Sequence, residues 1–345
     1  MHLRSNRLLW TLSLALVTTA GACAKDDGDD FKDGVPQSQD VALVVPGNGA
    51  NGSALTAADG TTAVQGGLAN QQADFYKLTR DVTVVVNTAT VGVLALVKTV
   101  TNYPPSSVEM DTAVWGPYTD PLSPNTWRLT VNRVAKGQFH YVLEGKAKTA
   151  DDTGYVTVLS GDHNLADPTA HRRLNVPDYG SGDFLLDWNA AQTLPEHDDN
   201  VGTAAFTYSR LSPTSPVTIA VTFTQVKDKD TGMLIDAGYA YTATPGQGGS
   251  FDFKLTKDFI TTTAALETMS IHSRWQETGA GRSDVMISGG DVAATTATAQ
   301  GGATASECWD ANFLSVYMTN SYGDPAKMWG AETSCAFTPA MYSAL

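Results

Sequence analysis

Apolar and polar residues alternate along about ten runs of the chain from Trp127 onward, and this pattern limits the possible folds most strongly. In the clearest run, Val217, Ile219, Val221 and Phe223 alternate with threonine and alanine. A period of two places successive side chains on opposite faces of a strand. Each run therefore predicts a strand with one buried face and one solvated face, which is typical of antiparallel sheets.

Turn-forming residues separate these runs at short intervals. Gly137 follows the first run, Asp228–Gly232 lies between two later runs, and Gly279–Gly281 precedes another. Short connections rich in glycine and aspartate favour hairpins between sequential strands. The predicted fold class is therefore mainly β, with a large antiparallel meander sheet or a barrel-like sheet.

A second period marks the stretch before the first run. Its apolar residues follow one another at steps of three or four, at Phe75, Leu78, Val82, Val85, Ala89, Val93, Leu96 and Val100. Valine-rich segments in this stretch favour a strand, but the regular spacing outweighs that weaker preference. The spacing predicts one long amphipathic helix over residues 72–102, ended by Pro104 and Pro105, around which the sheet curls.

Composition narrows the class of protein. The 345 residues are 42% hydrophobic and 17% charged, and the formal net charge is −14 at pH 7. These values suit one globular, β-rich domain, which we expect over residues 41–345. A strongly acidic chain repels phosphate backbones, so we expect no nucleic acid partner.

Residues 1–22 have the layout of a secretory signal peptide. Arg4 and Arg7 precede an apolar core, and small residues follow it. The core is too short for a stable transmembrane helix, and an acidic, polar run comes after it. The sequence therefore predicts export of the mature chain.

The end of this signal, Ala20-Gly21-Ala22-Cys23, resembles the lipobox of bacterial lipoproteins. The resemblance implies that Cys23 is lipidated and becomes the first mature residue, which anchors the protein to a membrane. Ala20 departs from the usual leucine, and Ala20-x-Ala22 also fits an ordinary signal-peptidase site. Ala24, rather than aspartate, follows the cysteine, which implies the outer membrane, with its periplasmic or surface face left open.

The three cysteines support the lipid anchor. If Cys23 is acylated, Cys308 and Cys335 form an even pair, which suits an oxidising compartment. We expect a disulfide that staples a C-terminal segment, residues 307–337. A metal or redox pair is the alternative, but the spacing lacks further soft ligands. Residues 23–40, rich in aspartate, glycine and glutamine, predict a disordered tether.

Groups that could perform chemistry are scattered. His163, Asp167 and His171 could gather a metal ion, but their spacing fits a solvated loop better. His140 and His272 occupy polar positions of predicted strands, so we expect them to face solvent. The chain has no Gly-x-Ser-x-Gly motif. The sequence thus predicts no catalytic residue, no metal and no cofactor.

Several elements together resemble an uncharacterised family of secreted bacterial envelope lipoproteins. These are the lipobox, Asp74-Phe75-Tyr76, Val114-Trp115-Gly116-Pro117 and Glu307-Cys308-Trp309. The resemblance implies a location and no activity. The predicted role is a non-enzymatic structural or interaction module with an unidentified protein partner. The alternatives are a carrier of a hydrophobic ligand held between helix and sheet and, less favoured, a hydrolytic or metal-dependent enzyme.

Overall fold

The computed structural model describes residues 29–36, 40–47, 69–168, 179–228, 231–260, 262–292 and 301–345. These residues form a mainly β structure, which confirms the predicted class. Their three α-helices are α1 (Asp29–Lys32), α2 (Asp74–Thr101) and α3 (Trp188–Ala191). Their fourteen strands are β1 (Ser107–Val108), β2 (Thr112–Thr119), β3 (Asn125–Ala135), β4 (Gln138–Ala147), β5 (Val156–Leu165), β6 (Gly180–Asp187), β7 (Thr203–Arg210), β8 (Val217–Lys227), β9 (Leu234–Thr244), β10 (Gly248–Lys257), β11 (Glu267–Gln276), β12 (Gly281–Gly289), β13 (Gly302–Trp309) and β14 (Ser315–Asn320).

The strands form one antiparallel sheet in which the spatial order equals the chain order. The predicted turn at Gly137 joins β3 to β4, and Gly137 has a φ of +71°. A side chain there would be strained and would meet Pro168, so the turn requires glycine. The meander therefore follows from local hairpins between alternating strands.

The sheet is open, so the barrel-like alternative is wrong for the described residues. β1 and β14 are its two edges, and no ladder joins them. β1 has only two residues. On the edge strand β14, Met318 exchanges backbone hydrogen bonds with Trp329, and Ser315 donates its N–H to Gln71. Chain segments already occupy part of the edge that closure would need.

One face of the sheet, here called the inner face, contributes large side chains to the main core. Helix α2 packs on this face, and its side chains Phe75, Leu94 and Val97 are buried in the same core. Thr79 and Thr83 are buried as well, although they lie outside the predicted apolar face of the helix. The opposite face is called the outer face.

The segment before α2 corrects one prediction. Residues 29–36 belong to the predicted disordered tether, but Phe31 and Val35 are buried in the main core. The Phe31 ring packs edge-on against Phe139, at a centroid distance of 6.3 Å. Burial of two apolar side chains offsets the entropy of ordering a polar segment, which composition alone does not reveal.

Residues 40–47 lie beside α2 and form no strand, although their apolar character would allow an edge strand. The Asn87 side chain accepts from Leu43 N–H at 2.8 Å and donates to Leu43 C=O at 2.8 Å. The Tyr76 hydroxyl donates to Pro46 C=O at 2.7 Å. Side chains of α2 thus satisfy backbone groups that a neighbouring strand would otherwise pair.

Strand β13 begins within a stretch whose alanine, threonine and glycine content predicts a flexible connector over 292–306. Residues 302–309 are instead ordered in β13, with Thr304, Ala305 and Ser306 all buried. Both faces of this strand are covered, by α2 on one side and by the C-terminal segment on the other. Small residues on a strand that is covered on both faces show no alternation of apolar and polar side chains. The pattern of period two therefore does not reveal this strand.

Candidate functional site

The C-terminal disulfide is the first feature of the candidate site. Cys308 in β13 is bonded to Cys335, with the two Cα atoms 5.4 Å apart. This confirms the predicted pair. The bond fixes the residues after β14, here called the C-terminal segment (331–345), against the outer face of β11–β13.

A buried ion-pair network lies beneath the C-terminal segment. Arg282 and Asp284 are 1% and 0% exposed, and Arg282 Nε donates to Asp284 Oδ1 at 2.7 Å. Arg282 Nη1 also donates to Glu332 Oε1 at 2.7 Å and to the Phe337 carbonyl at 3.2 Å. Burial opposes the charge of Arg282, but the carboxylates of Asp284 and Glu332 outweigh it and raise its pKa.

Asp284 links this network to the end of the chain. Its carboxylate accepts from Ser306 Oγ at 2.6 Å, from Arg274 Nη2 at 3.1 Å and from the Met341 N–H at 3.0 Å. A buried carboxylate with this many donors is paired rather than isolated, so its desolvation is compensated. The network therefore positions the C-terminal segment and contributes specificity to its placement.

The inner face of the same strands carries a second buried acid. Glu307 is 0% exposed, and its Oε2 accepts from the Phe75 N–H at the start of α2, at 2.7 Å. Its Oε1 has no hydrogen-bond partner. Burial raises the pKa of Glu307 to about 7, although the bonds from Phe75 N–H and the Ser315 side chain act in the opposite direction.

Hydroxyl groups surround this contact with α2. Thr79 Oγ1 lies 2.7 Å from Ser273 Oγ and 3.3 Å from Ser283 Oγ, and it donates to Phe75 C=O. Ser283 is directly opposite Glu307 in the ladder between β12 and β13. The first turns of α2 are thus held by polar groups and not by apolar contacts alone.

The exposed part of the outer face has a row of acidic and histidine side chains on adjacent strands. His140 Nδ1 lies 2.9 Å from Asp162 Oδ1, and Asp162 is opposite Asp183. Burial and the nearby charge of Asp162 raise the pKa of Asp183. Farther along the row, His272 Nδ1 lies 2.8 Å from Asp252 Oδ1.

Small side chains fill the row between these two histidine–aspartate pairs. They leave a shallow, open pocket of about 350 Å³. Its outer-face lining is Thr207, Ser209, Thr218, Ala220, Ala240 and Thr242. The lining offers hydroxyl groups and methyl groups.

Two of the three residues that the sequence offered as metal ligands lie in the described part of the chain, and neither belongs to a metal-binding group there. His163 is buried in β5, with Nδ1 2.6 Å from the Tyr208 hydroxyl, so the solvated-loop prediction is wrong for it. Asp167 follows β5, and His171 lies outside the described residues. Across the described ranges, no group of three His, Cys, Asp or Glu side chains could hold a metal ion.

The two strand histidines differ in exposure. The His140 side chain is 41% exposed, as predicted, whereas that of His272 is 13% exposed. His272 is opposite Asp284, where the C-terminal segment covers the outer face. Its predicted exposure is wrong because a segment distant in sequence returns to this strand.

Sequence reasoning missed Glu307, Arg282 and Asp284 as buried charged residues. One signal was present: Ser283 lies between Arg282 and Asp284, so the polar residues of β12 occupy both phases of the strand. A run of residues in which neither face of the strand is apolar is compatible with a strand whose two faces are both covered by polar contacts. The predicted lipidation site, Cys23, lies outside the described residues.

Comparison of the chain with protein-family models, with curated proteins and with solved structures finds no match. In the described part of the chain, no helix has the length and apolar character needed to cross a membrane.

Proposed function

We propose that this protein is a lipid-anchored component of the bacterial cell envelope that acts as a non-enzymatic structural or interaction module. The observation that carries the proposal is the pairing of Cys308 with Cys335. The chain has three cysteines, so this pair leaves Cys23 available for a lipid. A single cysteine directly after a signal peptide is the position at which bacterial lipoproteins are acylated.

The same bond supports the proposed compartment. Disulfides persist in oxidising compartments such as the periplasm and the cell surface. The signal-like residues 1–22 would deliver the chain there. A thioether-linked lipid with additional acyl chains would hold the protein stably, because one chain alone gives only marginal binding. We place the anchor in the outer membrane.

Packing on the inner face supports a structural or interaction module rather than a carrier of a hydrophobic ligand. In this proposal the sheet curls around α2, and the space between them is filled by protein. Phe31, Val41, Leu43 and Val45 from the N-terminal segments are each at most 3% exposed beside the core. These side chains occupy the region in which a hydrophobic ligand would otherwise bind.

Metabolic labelling tests the anchor. The full chain, expressed in a bacterium with an alkyne fatty acid, should incorporate the label, and Cys23→Ser should abolish it. Cys335→Ser is the matched control, since it removes a cysteine elsewhere and should keep the label. Cleavage at the rival signal-peptidase site would also leave Cys23 first, so a mature chain with an alkylatable Cys23 thiol and no lipid mass contradicts the proposal.

Native mass spectrometry tests the module. After release from the membrane, the protein should give the mass of the lipidated chain alone. A reproducible additional mass that extracts into organic solvent would instead support the carrier. An unlabelled chain would disprove the anchor without bearing on the packing of the inner face, so the two parts fail separately.

A further inference from the structure

Glu307 occupies the contact that docks the first turns of α2 on β11–β13. It is fully buried, it reaches the Phe75 N–H, and its Oε1 has no partner. A buried ionised carboxylate needs several donors to compensate for lost hydration. Glu307 receives one backbone N–H and one bond from Ser315, and Ser315 Oγ itself accepts from Trp329 Nε1 at 3.2 Å.

Among the described residues, the groups that face Glu307 do not supply a dedicated counter-charge. From α2, the Asp74 carboxylate disfavours ionisation and the Lys77 ammonium favours it, and these two side chains form an ion pair with each other. The neighbouring strand residues are uncharged: Ser273 on β11, Ser283 on β12, and Ser315 and Met318 on β14. Arg282 and Asp284 point to the opposite face of the sheet.

The helix dipole is the remaining favourable influence. The N-terminus of an α-helix stabilises a nearby anion. Burying a carboxylate in this closed contact opposes the effect of the helix dipole more strongly, because Oε1 stays unpaired. The geometry therefore favours the protonated acid when α2 is docked and the ionised acid when the contact opens to solvent.

We propose that Glu307 is a pH-sensitive latch: its protonated carboxyl group holds the first turns of α2 against β11–β13, and its ionisation releases them. The hydroxyl cluster of Thr79, Ser273 and Ser283 lies in the same contact and opens with it. The released part includes Tyr76, which hydrogen-bonds Pro46, so opening also frees the segment before the helix. This inference is independent of the lipid anchor.

Linkage fixes the direction of the effect. The pKa of Glu307 is raised from 4.5 to about 7 in the docked state. The docked state therefore binds more protons than the open state between these values, and docking weakens as pH rises through about 7. From pH 5 to pH 8.5 the docked-to-open ratio should fall on the order of 50-fold.

Hydrogen exchange measures this ratio directly. The full chain in detergent micelles is exchanged from pH 5 to pH 8.5, and rates are corrected for intrinsic chemical exchange. Amides of residues 75–83 should lose protection by about 50-fold, whereas those of β4 and β5 should not. Equal protection of 75–83 across this range would overturn the latch.

Glu307→Gln mimics the protonated acid and should abolish the pH dependence while α2 stays docked. Glu267→Gln is the matched control, because Glu267 is also fully buried but accepts three backbone N–H bonds. That variant should keep the pH dependence of 75–83. An unchanged pH dependence in Glu307→Gln contradicts the proposal.

A measurement on the wild type covers the case in which Glu307→Gln does not fold. With ¹³Cδ-labelled glutamate, one carboxyl resonance should titrate with a midpoint near 7. Titration of every glutamate below pH 5.5 would overturn the latch without any variant.

Discussion

At the residue scale, two buried glutamates of the inner face differ in what they bind. Burial alone would raise the pKa of both. In Glu267 three backbone N–H groups, of Asp291, Phe259 and Ile260, outweigh burial and lower it. Glu307 has a single backbone N–H, and burial prevails. The number of donors, rather than depth alone, decides which acid is ionised at neutral pH.

Replacement of Glu267 should destabilise the fold. Glutamine offers one acceptor oxygen and places an NH₂ against N–H donors, so Glu267→Gln should lower the free energy of unfolding by about 2–4 kcal/mol at pH 7. Because the folded pKa is lowered, this stability is present above the unfolded pKa of 4.5 and is lost as pH falls below it. Urea unfolding of the wild type and the variant at pH 7 and pH 3.5 measures the loss of stability at each pH. An equal loss at the two pH values contradicts this role of Glu267.

At the scale of elements, the docking of α2 depends on hydroxyl groups. Thr79 contacts two serines of the sheet, whereas Thr101, also buried, donates only to carbonyls of its own helix, at Val97 and Lys98. A hydroxyl that joins two elements stabilises their contact, and one that bonds within a helix does not. The two threonines therefore form a natural pair for comparison.

Thr79→Val keeps the shape of the side chain and removes its hydroxyl. We expect a loss of about 1–2 kcal/mol in the free energy of unfolding, because Ser273 and Ser283 lose a buried partner. Thr101→Val, the control, should change stability by less than about 0.5 kcal/mol. Urea denaturation followed by tryptophan fluorescence compares them. Equal effects would show that the cross-element bonds contribute nothing.

At the scale of the whole molecule, the last residues of the chain cover the outer face of strands near the middle of its C-terminal half. The disulfide and the Arg282 network hold the same segment. Buried ion pairs fix geometry but add little net stability, whereas a disulfide restricts the unfolded chain. The disulfide and the ion-pair network therefore contribute differently to the contact between the C-terminal segment and the sheet.

Removal of the disulfide should destabilise the whole fold. Cys308 and Cys335 are 27 positions apart, and closing a loop of this size contributes about 3–4 kcal/mol. Cys308→Ala with Cys335→Ala should lower the free energy of unfolding by this amount and expose the segment 331–345 to protease. Cys23→Ala is the control for cysteine loss. Unchanged denaturation and proteolysis in the double variant would contradict the role.

The candidate site was predictable only in part. The pairing of Cys308 with Cys335 could be predicted from the sequence. The chain has three cysteines, and these two remain once Cys23 is assigned to the lipid. Glu307 lies in the same short motif, yet its burial depends on Phe75, a residue more than two hundred positions earlier. His272 has the period of a solvated position and is covered by residues from the end of the chain.

The sequence by itself determined the mainly β class, the hairpin order of its strands and the disulfide, because alternation, turn chemistry and cysteine parity are local or countable. Only the tertiary structure decided that the sheet stays open, that residues 29–36 join the core, and that Glu307 and Arg282 are buried on opposite faces. Burial and pKa depend on which segments that are distant in sequence come into contact. The periodicity of the sequence does not specify these contacts.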